Sequence, residues 1–421
     1  MDRIEEWRME RGGRVVIVDP SFASDVGHHR DVNTQLLNAL GKEGWQAECW
    51  ADAAVKASEC RGVFRGCGYV DPRHWADLGG MVHLARQLEA QLLDLLARDS
   101  VAGAEPVGGW VVHTVLPYQL LGLARAWRHY PASTMVVSLM FPPGETLEGK
   151  GGAASAATNC QVALNALAKV VEQGGHRLQL VLPSQQSQEV YGPLLAAAGL
   201  ECAGVHPSVV GAGLPVESLT MTELDEKGPG PRILLHWGDL KPGKGRQEAL
   251  EVVAALLERE AVPATLQGAS WLFHLHSQEP LPEAEHALLS SARERINGFH
   301  WLDERVEEGR MRTLLASCGG ALLAYDPVIY RERSSGLLWS YAAARFMSGR
   351  PGALVGHAGS WLEREALDLG LCWHSSRNER WIDCIAEAVD INSVENNYTE
   401  YGEWILGSTF GGHASGLLMK T

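Results

Sequence analysis

The sequence lacks a C-x-x-C pair, although it holds eight cysteines: Cys49, Cys60, Cys67, Cys160, Cys202, Cys318, Cys372 and Cys384. That absence excludes a zinc ribbon and a thioredoxin-like redox motif. Thiols scattered singly through a long chain read as reduced core residues of a cytoplasmic protein. A basic excess is also missing. Lys and Arg number 36 against 51 Asp and Glu, a formal net charge of −15. This excludes the broad positive surface of a general nucleic-acid binder, but leaves room for a local anion pocket. No uninterrupted apolar run reaches the ~20 residues that a membrane helix needs. The opening MDRIEEWRMERGGR has no apolar core of a secretory signal, and no repeat with a period of about 20–50 residues is visible. What the chain does have is length and apolar content. Its 421 residues, 46% hydrophobic, suffice for two domains at about 100–200 residues each.

The apolar segments alternate in type. RVVIVDP, from Arg14 to Pro20, is a short Val-rich run suited to a strand buried on both faces. After a loop containing Gly27, His28 and His29, the residues Val32, Leu36, Leu37 and Leu40 recur at helical spacing. Further strands are expected at Trp110–Thr114, Thr134–Met140 and Leu178–Pro183, with Ala-rich helices around them. A polar stretch bearing Pro and Gly (ESLTMTELDEKGPGP) reads as a linker, after which RILLHWG restarts the pattern. Strands are then expected at Trp271–His276, Gly320–Tyr325, Gly352–His357 and Gly370–His374, with helices over Ser335–Met347, Ser360–Leu369 and Glu379–Val389. Such alternation predicts α/β architecture. The expected division is an N-terminal domain over 1–216, a linker over 217–231, a C-terminal domain over 232–395 and a tail over 396–421 packing back on the first domain.

Two segments of the second half suit phosphate. In HWGDLKPGKGRQEAL, Gly238, Gly243 and Lys244 match G-x-x-x-x-G-K between a strand and a helix. Backbone N–H groups and a helix N-terminus bind anions in that setting, and Lys241 and Lys244 would add charge. A P-loop would require Ser or Thr where Gly245 stands, so a nucleotidase is disfavoured. In AYDPVIYRERSSGLLWSYAAARFMSGRP, Arg331 and Arg333 precede Ser335 and Gly336 at a helix start, a setting suited to bidentate phosphate contact. In open α/β sheets both loops would lie at carboxyl ends of strands. In the first half, His28 in DVGHHRDVN and His113 at the end of WVVH occupy corresponding positions, where a His can serve as acid, base or hydrogen-bond partner. His28 and His29, being adjacent, are expected to face different ways, a poor geometry for a metal. His274 and His276 share a strand face without a third ligand, so no metal site is expected.

With these residues in view, the chain resembles the GT-B glycosyltransferases, and within them the bacterial group-1, family-four-like enzymes. GDLKPGKG is similar to their phosphate loop, and YRERSSGLLWSYAAARFMSGRP to their R-x-S-G-x-x-x-E-A-x-x-x-G-x-P motif. VGHHRDVNTQLLNAL is similar to their Gly-rich acceptor loop, and VVHT to their strand-end His. The resemblance implies two Rossmann-like domains with parallel sheets facing across a cleft, the first for an acceptor and the second for a nucleoside-diphosphate sugar. It implies a metal-independent, retaining, hexosyltransferase-like enzyme of polysaccharide or glycoconjugate biosynthesis, acting on a carbohydrate, lipid-linked or protein-linked glycan acceptor and requiring no cofactor. By the same resemblance Lys241, Lys244, Arg331 and Arg333 would hold the diphosphate, with the amides of Ser335 and Gly336 capping it. His113 would sit by the donor sugar, and Gly27 and His28 would form the loop beside donor and acceptor. The pattern departs at Asp239, where the family has Arg, and at its paired glutamates, whose places hold Arg331 and Trp339. Glu332 is one place from the first of these and is the substitute expected; Trp339 is left at the nucleotide position. The departures keep open a second reading, a non-catalytic GT-B-fold protein that binds sugars or partners.

Overall fold

The computed structural model describes residues 13–24, 28–71, 74–144, 153–208, 230–238, 240–241, 243–258, 262–277, 279–306, 308–376, 380–390 and 398–419. Gly27 and Asp239 therefore lie outside the described residues, as does the expected linker except for its last two positions. The chain divides into two compact units, Met1–Gly211 with Ser408–Thr421, and Ala212–Gly407.

The first unit runs β1 (Arg14–Asp19), α1 (His29–Lys42), β2 (Gln46–Asp52), β3 (Cys60–Phe64), α2 (Leu78–Val101), β4 (Val107–Val112), α3 (Pro117–Trp127), β5 (Thr134–Ser138), α4 (Ala153–Gly174), β6 (Arg177–Leu182), α5 (Ser187–Ala198) and β7 (Cys202–Val205). The second runs β8 (Arg232–Gly238), α6 (Arg246–Leu257), β9 (Ser270–Leu275), α7 (Glu283–Arg295), β10 (Phe299–Leu302), α8 (Glu308–Ser317), β11 (Cys318–Leu323), α9 (Gly336–Ser348), β12 (Ala353–His357), α10 (Trp361–Asp368), β13 (Cys372–Ser376), α11 (Trp381–Asp390) and α12 (Glu400–Leu406). A last helix, α13 (Phe410–Met419), belongs to the first unit.

All strands in each sheet pair in parallel, in the orders β3-β2-β1-β4-β5-β6-β7 and β10-β9-β8-β11-β12-β13. Each sheet starts at its first strand, grows outward through the next two, then returns to the other side. This reversal creates a switch point, between β1 and β4 in one sheet and β8 and β11 in the other, where ligands of open α/β sheets bind. The apolar runs are explained by burial on both faces. Val16 and Val18 of β1 pack with α2 and α3, whereas the intervening Val15 and Ile17 pack with α1 and α13. Phe410, Ala414, Leu417 and Leu418 of α13 complete that second layer, and Trp45 Nε1 donates to Ser415 Oγ at 3.3 Å. In the second unit, Ile233 and Leu235 of β8 meet Ala249, Val253 and Leu256 of α6 and Ile385 of α11. Among the described residues, no helix is long and apolar enough to cross a membrane.

Candidate functional site

At the switch point of the first unit, the last residue of β1, Asp19, is fully buried. A buried carboxylate must be met by donors, and Asp19 has two, His29 and Asn33, with His113 close by. His29 Nδ1 lies 2.9 Å from Oδ2, Asn33 Nδ2 donates to Oδ2 at 2.8 Å, and His113 Nε2 stands 3.4 Å away. Burial alone would raise the Asp19 pKa, but His113, His29 and Asn33 together bring it below the usual carboxylate value. Asp19 is therefore ionised at neutral pH.

An ionised carboxylate only accepts, so it dictates the direction of every bond connected to it. His29 must donate from Nδ1, which leaves its Nε2 lone pair open. Asn33 directs its amide nitrogen at Asp19, so its Oδ1 faces His113 Nε2 at 2.8 Å and receives that proton. His113 is 1% exposed and desolvation pushes its pKa down to about 4, so it is neutral and its Nδ1 accepts. The donor is the Thr114 hydroxyl at 3.0 Å, with a longer contact of 3.6 Å from the same oxygen to Met140 Sδ. Having donated to His113, Thr114 Oγ1 receives His28 Nε2–H at 2.8 Å. The chain Asp19–Asn33–His113–Thr114–His28 thus runs in one direction. Thr114 pays for its place with a φ of 57°, and among the described residues it is the one non-glycine with positive φ.

The expectation that His28 and His29 face different ways is corrected here. His28 has φ −86° and ψ −8°, so it turns with the helix, and the two rings stack at 4.7 Å. Nitrogens of His28, His29 and His113 lie within 4.8 Å of one another, the spacing of a loose three-histidine metal cluster. The hydrogen bonds favour another use, because His113 commits both nitrogens and Asp19 holds His29 Nδ1. An ion drawing on His113 would have to displace Asn33 or Thr114. Asp19, Asn33 and Thr114 were not singled out from sequence, and His29 entered only beside His28 as a poor metal ligand. Asp19 could have been flagged as an acid ending an otherwise apolar strand.

At the switch point of the second unit, the two phosphate-suited loops lie against each other. The Asp326 amide donates to Gly243 O at 2.9 Å, and Gly245 packs so closely on Ala324 that a Cβ would sit 2.8 Å from its carbonyl oxygen. Gly238, at φ +138°, leaves the space that Lys244 uses, its Nζ being 3.0 Å from where a Cβ would be. Gly245, in the left-handed region at φ 71°, begins α6. Lys244 is half-buried, close enough to His274 to contribute to that ring's lowered pKa, after the larger effect of desolvation. Lys241 is exposed. In the facing loop Asp326 Oδ1 accepts from the amides of Val328 and Ile329 at 2.7 and 3.1 Å, which shapes the turn. Arg331 is largely exposed and stands 3.6 Å from Glu332; Arg333 is half-buried.

Ser335 caps α9 by accepting from Leu338 N at 3.4 Å and donates to Tyr325 OH at 3.3 Å, while Gly336 is exposed beside it. Trp339 is 1% exposed, and its indole N–H donates to Ser334 Oγ at 2.7 Å. Ser334 in turn donates to Glu365 Oε2 at 2.7 Å, and Trp361 Nε1 donates to Oε1 at 3.0 Å. Trp339 is thus a packing residue of the helix, and its ring is not offered to a nucleotide.

No protein-family model matches the chain, and no curated protein is similar to it in sequence. Solved structures are similar in fold. An α,α-trehalose-phosphate synthase (UDP-forming) from Burkholderia xenovorans, in complex with glucose-6-phosphate, superposes with a TM-score of 0.62 at 12% identity, over 97% of this chain and 99% of that one. The trehalose-6-phosphate synthase of E. coli, bound with UDP-2-fluoro glucose, gives 0.55 at 13% identity, over 97% and 100%. A protein from Listeria monocytogenes described as a UDP-N-acetylglucosamine 2-epimerase gives 0.53 at 12%, over 96% and 94%. With its two parallel-sheet units and these likenesses over nearly its whole length, the chain has the GT-B fold.

Proposed function

We propose that this protein is a glycosyltransferase that moves a sugar from a nucleoside diphosphate to a hydroxyl of a carbohydrate or glycoconjugate acceptor, without a metal ion. The observation that carries this reading is the bond from the Asp326 amide to Gly243 O, 2.9 Å long. It ties the lysine-bearing glycine loop after β8 to the arginine-bearing loop before α9 at one switch point. Lys244, Lys241, Arg331 and Arg333 then supply the positive charge, and the first turns of α6 and α9 the amide dipoles, that a departing diphosphate needs. The structural neighbours are consistent with it, since one holds UDP-2-fluoro glucose and another glucose-6-phosphate. Calorimetry with UDP-, GDP-, ADP-, CMP- and dTDP-sugars, combined with nucleotide release, tests the proposal. Binding of at least one donor with turnover is expected, and failure of all of them to bind overturns it.

A second reading rests on Trp339. The resembling family places a ribose-binding glutamate at that position, and here a buried indole fills it. Donor binding without turnover across varied acceptors would select a non-catalytic sugar-binding protein.

A further inference from the structure

We propose that Cys49 and Cys60 form a redox-modification site within the first unit, in which a hydroperoxide oxidises Cys60 and Cys49 resolves the product to a reversible disulfide between β2 and β3. The site is independent of the sugar-transfer reading.

The two thiols stand apart in the sequence and become neighbours through strand pairing. β2 and β3 run parallel, and in their register Cys49 lies directly opposite Cys60. Paired strands are about 4.8 Å apart, which falls within the ~4.4–6.8 Å between Cα atoms that a disulfide spans. The side chains also share a face, since successive strand residues alternate. Cys49 belongs to the core beneath α1 and α13, and Cys60 packs against that same core. The residues that follow them, Trp50 and Arg61, turn to the opposite layer, where Arg61 Nη1 donates to Asp99 Oδ1 of α2 at 3.1 Å. The two sulfurs meet in a hydrogen bond, so they are within reach of each other without a shift of either strand.

The pair is unequal. Cys49 is 1% exposed, whereas Cys60 is half-buried at the start of the edge strand β3, where a small oxidant can reach it. The shared hydrogen bond, with burial, raises the Cys49 thiol, so Cys49 keeps its proton and donates. Accepting that bond brings the Cys60 thiol below its ordinary value, against burial and the carboxylates of Glu59 and Asp19. Arg30 of α1, held 3.0 Å from Glu59, adds a positive charge that favours the Cys60 thiolate. The thiolate is the reactive form. Burial instead pushes up Cys67, Cys160, Cys202, Cys318 and Cys372.

The chemistry balances with the hydroperoxide as sole oxidant. The Cys60 thiolate attacks the terminal peroxide oxygen, the O–O bond breaks, and the departing alkoxide or hydroxide takes a proton, leaving Cys60 as a sulfenic acid. The Cys49 sulfur then attacks the Cys60 sulfur. The S–S bond forms, the S–O bond breaks, and the oxygen leaves as water with the proton from Cys49. Two electrons pass from the two thiols to the peroxide, and a small dithiol returns them.

The full-length protein, reduced and then exposed to one equivalent of hydrogen peroxide, is mapped by differential alkylation and peptide mass spectrometry. Cys49 and Cys60 should leave the free-thiol pool together, in one cross-linked peptide, before the other cysteines react, and dithiothreitol should restore both. Cys49→Ala should hold Cys60 as a sulfenic acid that dimedone labels. Cys60→Ser should leave Cys49 a free thiol at the same peroxide concentration. Absence of the Cys49–Cys60 link from the oxidised wild type overturns the proposal, and that measurement needs no variant to fold. Dimedone labelling at another cysteine instead, or Cys49 oxidised as fast in a folded Cys60→Ser variant, overturns it equally.

Discussion

The amide of Asp326 donates to the carbonyl of Gly243 across 2.9 Å, joining the loop after β11 to the loop after β8. These loops are distant in sequence but adjacent in the sheet, because β8 and β11 are paired neighbours. The contact depends on glycine at the end of the first loop. Gly245 has φ 71°, and a Cβ there would sit 2.8 Å from Ala324 O. Gly245→Ala therefore combines left-handed strain with a clash against backbone that a side-chain rotamer cannot relieve. It should destabilise the second unit by about 2 kcal/mol or more, read by guanidinium unfolding. A loss below about 0.5 kcal/mol would mean that the loops do not pack this way.

Lys244 lies over Gly238, in space that any side chain at that position would contest. If it meets the donor diphosphate, Lys244→Ala should weaken nucleotide-sugar binding by about 1.5–3 kcal/mol, the worth of a charged hydrogen bond. Titration calorimetry with the bound donor measures this, and unchanged affinity would place the phosphate elsewhere.

The sequence revealed the α/β alternation for a physical reason. Central parallel strands are buried on both faces, so RVVIVD and RILLHWG read as unbroken apolar runs. Strands β2 and β3 escaped because QAECWAD and CRGVF mix exposed and buried positions, and β7 because CAGV is short and half-buried throughout at the sheet edge. The site divides the same way. Glycine loops and a Ser cap follow local rules, so Gly243, Lys244 and Ser335 stood out. The Asp19 cluster did not, because it depends on long-range pairing of β1 with β4 and on two local backbone choices. One is the helical φ of His28, which turns His29 towards Asp19. The other is the positive φ of Thr114, which composition does not announce.

Acid should weaken the first unit well before its carboxylates titrate. Desolvation lowers His113 to about 4 and His206 to about 3, both below the ordinary 6.5. Below pH 6.5 the unfolded chain therefore binds protons that the folded chain excludes, so their contribution is whole above pH 6.5 and is lost as pH falls towards 4. Each is worth up to about 2 kcal/mol at pH 5. Asp19, whose pKa is depressed, adds a further loss only below the ordinary carboxylate range. Hydrogen exchange of the β1 and β4 amides, compared at pH 7 and pH 5 after correction for intrinsic rates, should show reduced protection at pH 5. Equal protection would mean that these imidazoles protonate in place.

Thr114 separates backbone strain from hydrogen bonding. Its hydroxyl stands between His28 and His113, while its β-branched side chain occupies a left-handed backbone at φ 57°. Thr114→Val preserves shape and strain but removes the hydroxyl, leaving His113 Nδ1 buried without its donor and His28 Nε2–H without its acceptor. That should cost about 1–3 kcal/mol. Thr114→Ser keeps the hydroxyl and sheds the β-branch, so it should be neutral or stabilising by up to about 1 kcal/mol. The difference between the wild type and Thr114→Val in urea unfolding isolates the hydroxyl, since both side chains are β-branched at the same backbone angles. If Thr114→Val is as stable as the wild type, the directed chain from Asp19 to His28 is broken at Thr114. The orientation of His28 must then come from its other contacts, among them its ring packing with His29 and His113.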